Sequence, residues 1–387
     1  MRKILSTILA ITLFVLFAVG SVGCAAAGYT VFEPQAAFSG DITLSAKIYG
    51  GRANDAFDGM LAIVREIDEQ VSTTNENSDL SSFNAASLNE VEVGEHCYKL
   101  FTLSREYYEL TDGAFNVASF PLVELWHLDP DSITTLRPDV DGSYVSPELP
   151  AIDTVEESLT YCSPLLIESY EKNGKFYLKK QDPRVRLDFG GIAKGYAADL
   201  CAQVLNEYGV SSALIDISGN AYFYGDYIER GKSAKWNVGI MSPRPRAGEL
   251  IGFRGYVCAV SVGKNTSAVT SGDYMRYYVH DGANGKVYVP HVIGADGLPV
   301  GVAYDGEYLN SDEWVISATV IGEKSSLCDA LSTAVMVCGI EEGARLLQKT
   351  GYKGLIFTQK RYTIIGNAEL YKPDVYDGFT AYEQYEL

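Results

Sequence analysis

Val185-Arg186-Leu187-Asp188-Phe189-Gly190-Gly191-Ile192-Ala193-Lys194-Gly195-Tyr196-Ala197-Ala198-Asp199 is the most informative stretch of this 387-residue chain. It reads as a strand, a Gly-Gly turn and a helix start. Paired glycines let the backbone come close to a partner, and the free N–H groups of a first helical turn form an anion site. Lys194 falls in that first turn, where the helix dipole disfavours a cation unless an anion lies beside it. The lysine therefore points to phosphate. A tight strand-to-helix connection with an exposed lysine accounts for the same residues without a ligand. The spacing is neither G-x-G-x-x-G nor G-x-x-x-x-G-K-[ST], so the dinucleotide and P-loop fingerprints do not apply.

Outward from this stretch the chain alternates helical and extended patterns. Thr43 to Tyr49 alternates as a strand, and Gly50-Gly51 leads into Asn54 to Val71, where Phe57, Met60, Leu61, Val64, Ile67 and Val71 recur at helical spacing. A second helix is predicted over Glu95 to Leu110, stopping near Gly113. Ala213 to Ile217 and Val257 to Val262 read as strands, and Asp329 to Cys338 as a buried helix. Pro130, Pro138, Pro147 and Pro150 make the stretch between His127 and Asp153 a loop or surface insertion. The mixture predicts an α+β fold: a single large mixed α/β unit, of one lobe or two.

At the N-terminus, Arg2 and Lys3 precede an apolar run from Ile4 to about Val19 that closes on Gly20-Ser21-Val22-Gly23-Cys24. That is the layout of a secretory signal peptide over residues 1–23. Residues 24–40 read as a tether, and residues 41–387 as the functional domain. With 31 Lys+Arg against 50 Asp+Glu, the net charge is −19. A polyphosphate backbone would be repelled over most of the surface, which excludes nucleic acid as a partner. A phosphate-bearing ligand must be held locally, by a helix N-terminus, a lone lysine or a divalent cation. Beyond Cys24, no cysteine pair forms a C-x-x-C and most lie in apolar runs, which predicts buried free thiols.

Two further segments carry candidate chemistry. In Ser325-Ser326-Leu327-Cys328-Asp329-Ala330-Leu331-Ser332-Thr333, Asp329 and Thr333 share a helix face and could present two hard oxygens to Mg²⁺. Ser326 and Asp329 also fit an S-x-x-D capping box, which on its own explains the segment better. Val269-Thr270-Ser271-Gly272-Asp273-Tyr274 puts hydroxyls before a glycine turn. Val289-Pro290-His291-Val292-Ile293-Gly294-Ala295-Asp296-Gly297 holds one of only four histidines. A hairpin and a core histidine account for most of this without chemistry.

Taken in order, these segments resemble the FAD:protein FMN transferases, the flavin transferase or ApbE family, from Thr43 to about Gly366. The signposts are Val71 to Thr74 with Ser78 to Asn84, Gly113 to Asn116 with Pro121 to Trp126, Asp188 to Tyr196, Thr270 to Tyr274, His291, and Asp329 to Thr333. Gly23-Cys24 resembles the lipobox of bacterial lipoproteins, in which the cysteine receives a lipid. The resemblance implies an enzyme that binds FAD and Mg²⁺, cleaves the pyrophosphate and joins FMN to a Thr or Ser hydroxyl of a target protein. By match, the Gly191 carbonyl, Asp329 and Thr333 would hold the metal. Thr74, Ala114, Phe115, Asn116, Asp188, Lys194, Thr270, Ser271 and Val292 would line the FAD site, and His291 would activate the acceptor hydroxyl.

The implied partner is an extracytoplasmic flavoprotein, with the enzyme anchored to the bacterial membrane through a lipid on Cys24. Three positions depart from the family pattern: Thr74 for tyrosine, Asn116 for aspartate, and Gly294 to Gly297, one residue shorter than the family's D-P-x-T-G. Two other jobs suit the same site, an FAD pyrophosphatase releasing FMN and AMP, and a flavin-binding lipoprotein without chemistry.

Overall fold

Burial alternates along Ile42–Tyr49 with period two, so one face of this strand meets a core and the other a second layer. The computed structural model describes residues 31–39, 42–138, 142–229, 232–244, 255–309, 314–366, 368–372 and 380–381. The expected signal peptide and Cys24 lie outside them.

The frame is a nine-stranded sheet. Its strands are β1 (Val31–Ser39), β2 (Ile42–Tyr49), β3 (Ser212–Ile217), β4 (Asn220–Tyr224), β5 (Thr266–Gly272), β6 (Ser317–Gly322), β7 (Lys353–Phe357), β8 (Arg361–Ile365) and β9 (Thr380–Ala381). They lie side by side in that order. Every pairing is antiparallel except that of β8 with β9. Val31–Ser39, assigned to the tether by sequence, is therefore an edge strand, paired with β2.

Four helices carry the rest of the frame: α1 (Ala53–Val71), α2 (Glu95–Leu110), α3 (Ala193–Glu207) and α4 (Ser325–Thr350). The apolar stripe read in α1 is its buried face. The main core joins α1, α3 and α4 to one face of the sheet, through Met60, Val64, Ala198, Leu331 and Val335 against Leu44, Ile215, Val269 and Val320. On the other face Phe223, Ala268, Ile321 and Leu355 pack with Trp236, Val260 and Val262. These last belong to a small sheet of Trp236–Met241, Tyr256–Val262 and Glu369–Lys372. A third cluster, around Trp126, Ile133, Val155 and Tyr278, lies under the hairpin Tyr277–Gly282/Gly285–Pro290.

Two expectations are corrected. The stretch from His127 to Asp153 contains a helix, Pro130–Leu136, because Asp129 caps its Ser132 N–H and proline occupies the first helical position. Val185 to Phe189 is extended but joins no ladder. Its partner is a side chain: Asn84 accepts from the Leu187 N–H at 2.8 Å and donates to the Leu187 carbonyl at 2.8 Å. The next residue, Asp188, donates its N–H to the Val117 carbonyl at 2.9 Å.

Candidate active site

The site grows from the place where two helices begin beside each other. α4 runs along β5: Ser325 Oγ meets Ser267 Oγ at 2.8 Å, and one helical stretch later Ser332 Oγ meets Ser271 Oγ at 2.7 Å. That carries Asp329 and Thr333 along the sheet to the end of β5, where Thr333 Oγ1 is 3.3 Å from Ser271 Oγ. At Gly339 the backbone breaks from helical geometry with φ +80, and the remainder of α4 leads back to β7. A residue with a side chain would be strained there.

α3 arrives at the same point. Asp329 is buried, at 2% exposure, and its Oδ2 accepts the Gly195 N–H at 3.0 Å. Its Oδ1 lies 3.6 Å from Lys194 Nζ. The lysine that the helix dipole disfavours thus has its anion, a carboxylate of the chain itself, and it also donates to the Gly190 carbonyl. The approach is close because Gly195 has no side chain: a Cβ there would meet the Ser325 carbonyl oxygen at 2.4 Å.

The S-x-x-D capping box is corrected by the same contacts. α4 starts at Lys324 with no side-chain cap of its own. Instead Asp199, from α3, accepts the Ser325 N–H at 2.7 Å, the Ser326 N–H at 3.0 Å and the Ser326 hydroxyl at 2.6 Å. Burial pushes the Asp199 carboxyl above its ordinary value, and the Ser326 and Ser325 donors oppose that.

Around this pair the other predicted residues fall as follows. Gly191 faces both Phe115 and Thr333: a Cβ on it would lie 3.2 Å from the Phe115 ring and 3.5 Å from Thr333 Oγ1. Asp188 accepts the Gly190 N–H at 2.8 Å, which shapes the turn before α3. Ser271 faces α4, whereas Thr270 points to the opposite face and pairs with Thr319 Oγ1 at 2.8 Å. Asn116 caps the short helix Val117–Ser119 through Ala118 N–H and donates to the Cys162 carbonyl at 2.8 Å. Ala114, partly buried, precedes Phe115, whose N–H is held by Thr111 Oγ1 at 3.0 Å. Thr74 sits in the turn after α1, 3.1 Å from Ser72 Oγ. Val292 is buried, and its carbonyl accepts the Val300 N–H at 2.9 Å.

His291 stands beside Arg276, whose carbonyl is 3.2 Å from Nδ1. Burial, with Arg276 and Lys194 adding their charge, lowers the imidazole to about 3, so it is neutral at physiological pH. The turn after His291 is tight: Gly294 N–H donates to Leu298 O at 2.7 Å, and Asp296 accepts the Leu298 N–H at 3.1 Å. Trp126 Nε1 fixes the Gly297 carbonyl at 2.8 Å. Asp296 is thus exposed and engaged in its own turn.

Among the described residues no group of three or more His, Cys, Asp or Glu could hold a metal. Asp329 and Thr333, one turn apart on α4, with Gly191 next to Thr333, offer oxygen donors only and a single charge. Such a set suits a hard divalent cation that draws its remaining ligands from water and an anionic substrate. The residues that sequence reading gave no role are Asp199, Asn84, Trp126 and Lys180. The first three stand inside the quoted motifs, but a motif does not say which distant backbone group a side chain will hold.

Comparison with known proteins now bears on this geometry. The ApbE family model matches residues 41–356. The chain belongs to the ApbE family. It is 28% identical over 318 residues to an FAD:protein FMN transferase of Treponema pallidum (strain Nichols), covering 79% of this chain and 78% of that protein. To the FAD:protein FMN transferase of Escherichia coli (strain K12) it is 25% identical over 295 residues, covering 76% and 74%. The fold matches the apo flavinyl transferase ApbE of Pseudomonas stutzeri at TM-score 0.67 and 21% identity, covering 87% of this chain and 95% of that one. It matches the ApbE protein of Thermotoga maritima at TM-score 0.68 and 24% identity, covering 89% and 97%. The mixed α/β architecture expected from sequence is the ApbE architecture.

Proposed function

We propose that this ApbE-family chain is an FAD:protein FMN transferase that acts with Mg²⁺ on a Thr or Ser hydroxyl of an extracytoplasmic flavoprotein. The observation that carries the reading is the meeting of Lys194 and Asp329 at the start of α3, with Thr333 one turn beyond Asp329 on α4, in a chain matched by the family model over residues 41–356. In the reaction the acceptor oxygen bonds to the FMN phosphorus, the pyrophosphate bond breaks, and AMP leaves. His291, neutral at physiological pH, takes the hydroxyl proton. Lys194 faces the phosphates and balances the charge that grows as the bond breaks. A bound divalent cation would be held by Asp329, Thr333 and the Gly191 carbonyl, and it would supply Lewis-acid polarisation of a phosphoryl oxygen. Thr74, Ala114, Phe115, Asn116, Asp188, Ser271 and Val292 complete the flavin side of the reading.

Location belongs to the same reading: a signal peptide over residues 1–23 and a lipid on Cys24 place the enzyme outside the cytoplasm and bring it to membrane-bound acceptors. No helix among the described residues is long and apolar enough to cross a membrane.

The test is to incubate the protein with FAD, Mg²⁺ and an acceptor flavoprotein domain and to weigh the acceptor. The expected result is the added mass of FMN. Free FMN and AMP with an unmodified acceptor would identify a pyrophosphatase instead. Tight FAD binding without AMP would identify a carrier.

A further inference from the structure

Asp199 is set apart by what it holds. α3 and α4 begin side by side, and neither supplies its own side-chain cap. Each N-terminus is closed by a carboxylate from the other: Asp329 on the Gly195 N–H, and Asp199 on the N–H groups of Ser325 and Ser326 and on the Ser326 hydroxyl. The geometry points to Asp199 as a positioning residue for Asp329.

Two successive N–H groups of a helix point about 100° apart around its axis. A carboxylate that holds both fixes the rotation of the first turn as well as its height. Asp329 stands one turn further on, so its direction follows from that grip. With the grip in place, Oδ2 reaches the Gly195 N–H and Oδ1 is left on the side of Lys194. Without it, the Gly195 N–H and the Lys194 ammonium, both on Asp329, are the polar contacts left at this crossing. The Ser325 carbonyl lies where a Gly195 Cβ would be, so a small rotation of α4 has no slack to absorb it. Both Asp199 oxygens are taken up by the α4 N-terminus, so it acts through Asp329.

This inference rests on the proposed transferase reading, and its test separates the two. Asp199→Asn keeps the shape but sets an amide NH₂ against one of the two backbone donors. Binding of Mn²⁺ with ADP as the diphosphate is read by electron paramagnetic resonance, without FAD or an acceptor. The half-saturating Mn²⁺ concentration should rise about tenfold, the size expected when a ligand loses its supporting partner. In the transferase assay the loss of rate should be recovered by raising Mg²⁺, with the KM for FAD at saturating Mg²⁺ unchanged. Ser326→Ala, which removes only one of the three bonds, should shift Mn²⁺ the same way by a smaller factor, and it carries the test if Asp199→Asn does not fold. A merely structural cap predicts a lower melting temperature with unaltered half-saturating Mn²⁺ in both variants, which would overturn the inference while wild-type transfer stands. Wild-type protein that neither binds Mn²⁺ with ADP nor transfers FMN would overturn both readings.

Discussion

His291 shows how far a single side chain can be argued. In the folded chain it stays unprotonated down to about 3, whereas an unfolded imidazole takes a proton near 6.5. The unfolded state therefore binds more protons between these values, so its contribution to stability is intact above about pH 6.5 and is lost as the pH falls toward 3. Urea midpoints of wild type should drop more steeply over that range than those of His291→Asn. The rate of transfer should show no inflection near pH 6.5 that belongs to this residue. His291→Asn should slow transfer by about 10²- to 10⁴-fold while FAD affinity, measured by fluorescence quenching, is kept. A variant with full transfer would remove His291 from the chemistry. Lys194, Gly191, Asp329 and Thr333 each stand in a compact motif, and their proximity across α3 and α4 follows from those motifs meeting. Asp199 was not legible in the sequence, because its partners lie far away along the chain and no local pattern encodes a hydrogen bond of that span. Thr270 and Ser271 look alike in sequence, yet as neighbours in a strand they face opposite sides of the sheet.

At the level of elements, periodicity gave α1 and α2 almost to the residue, since one buried stripe decides each. It failed at Val185 to Phe189, where an extended, partly apolar run lacks a ladder and leans on Asn84. That asparagine is itself anchored, because the next elements meet at a buried lysine. Lys180, at 1% exposure, donates to the carbonyls of Asn84 and Ala86 at 3.0 Å each. Lys180→Met should cost about 1–3 kcal/mol in denaturant unfolding, because two carbonyls lose their donor. Burial lowers this amine to about 8, so the stability of wild type relative to Lys180→Met should increase as the pH rises from 8 toward the unfolded value near 10.5. Gly195→Ala tests the crossing of α3 and α4. Its new methyl would meet backbone, not a movable side chain, and a loss of about 1–3 kcal/mol is expected. An unchanged denaturation midpoint would show that the two helix starts are looser than their contacts imply.

For the molecule as a whole, the sequence was right about class and about thiols. The cysteines Cys97, Cys162, Cys201, Cys258, Cys328 and Cys338 are free, and all but Cys338 are buried. Burial pushes the Cys162 and Cys258 thiols up to about 12, which leaves them protonated and unreactive. Melting temperatures with and without a reductant should agree, and intact-protein mass after a brief thiol-alkylating pulse should show at most slow modification. What sequence could not supply was the division of the apolar residues among three separate clusters, since periodicity says that a face is buried and not which layer buries it.

One further consequence lies in the neck of the segment that carries His291. Gly272 and Ser317 are cross-strand partners on β5 and β6, and the Asp273 N–H donates to the Ile316 carbonyl at 3.0 Å. Arg244 grips the Asp273 carboxylate with two bonds of 2.7 Å. Everything from 273 to 316 therefore leaves and rejoins the sheet through one narrow gate, about 5 Å wide. Such a cassette can lengthen, shorten or change its surface without disturbing the register of the nine-stranded sheet. Changes of length or surface in that segment would be felt at the gate only through the Arg244–Asp273 pair, which leaves the pairing of β5 with β6 as it is.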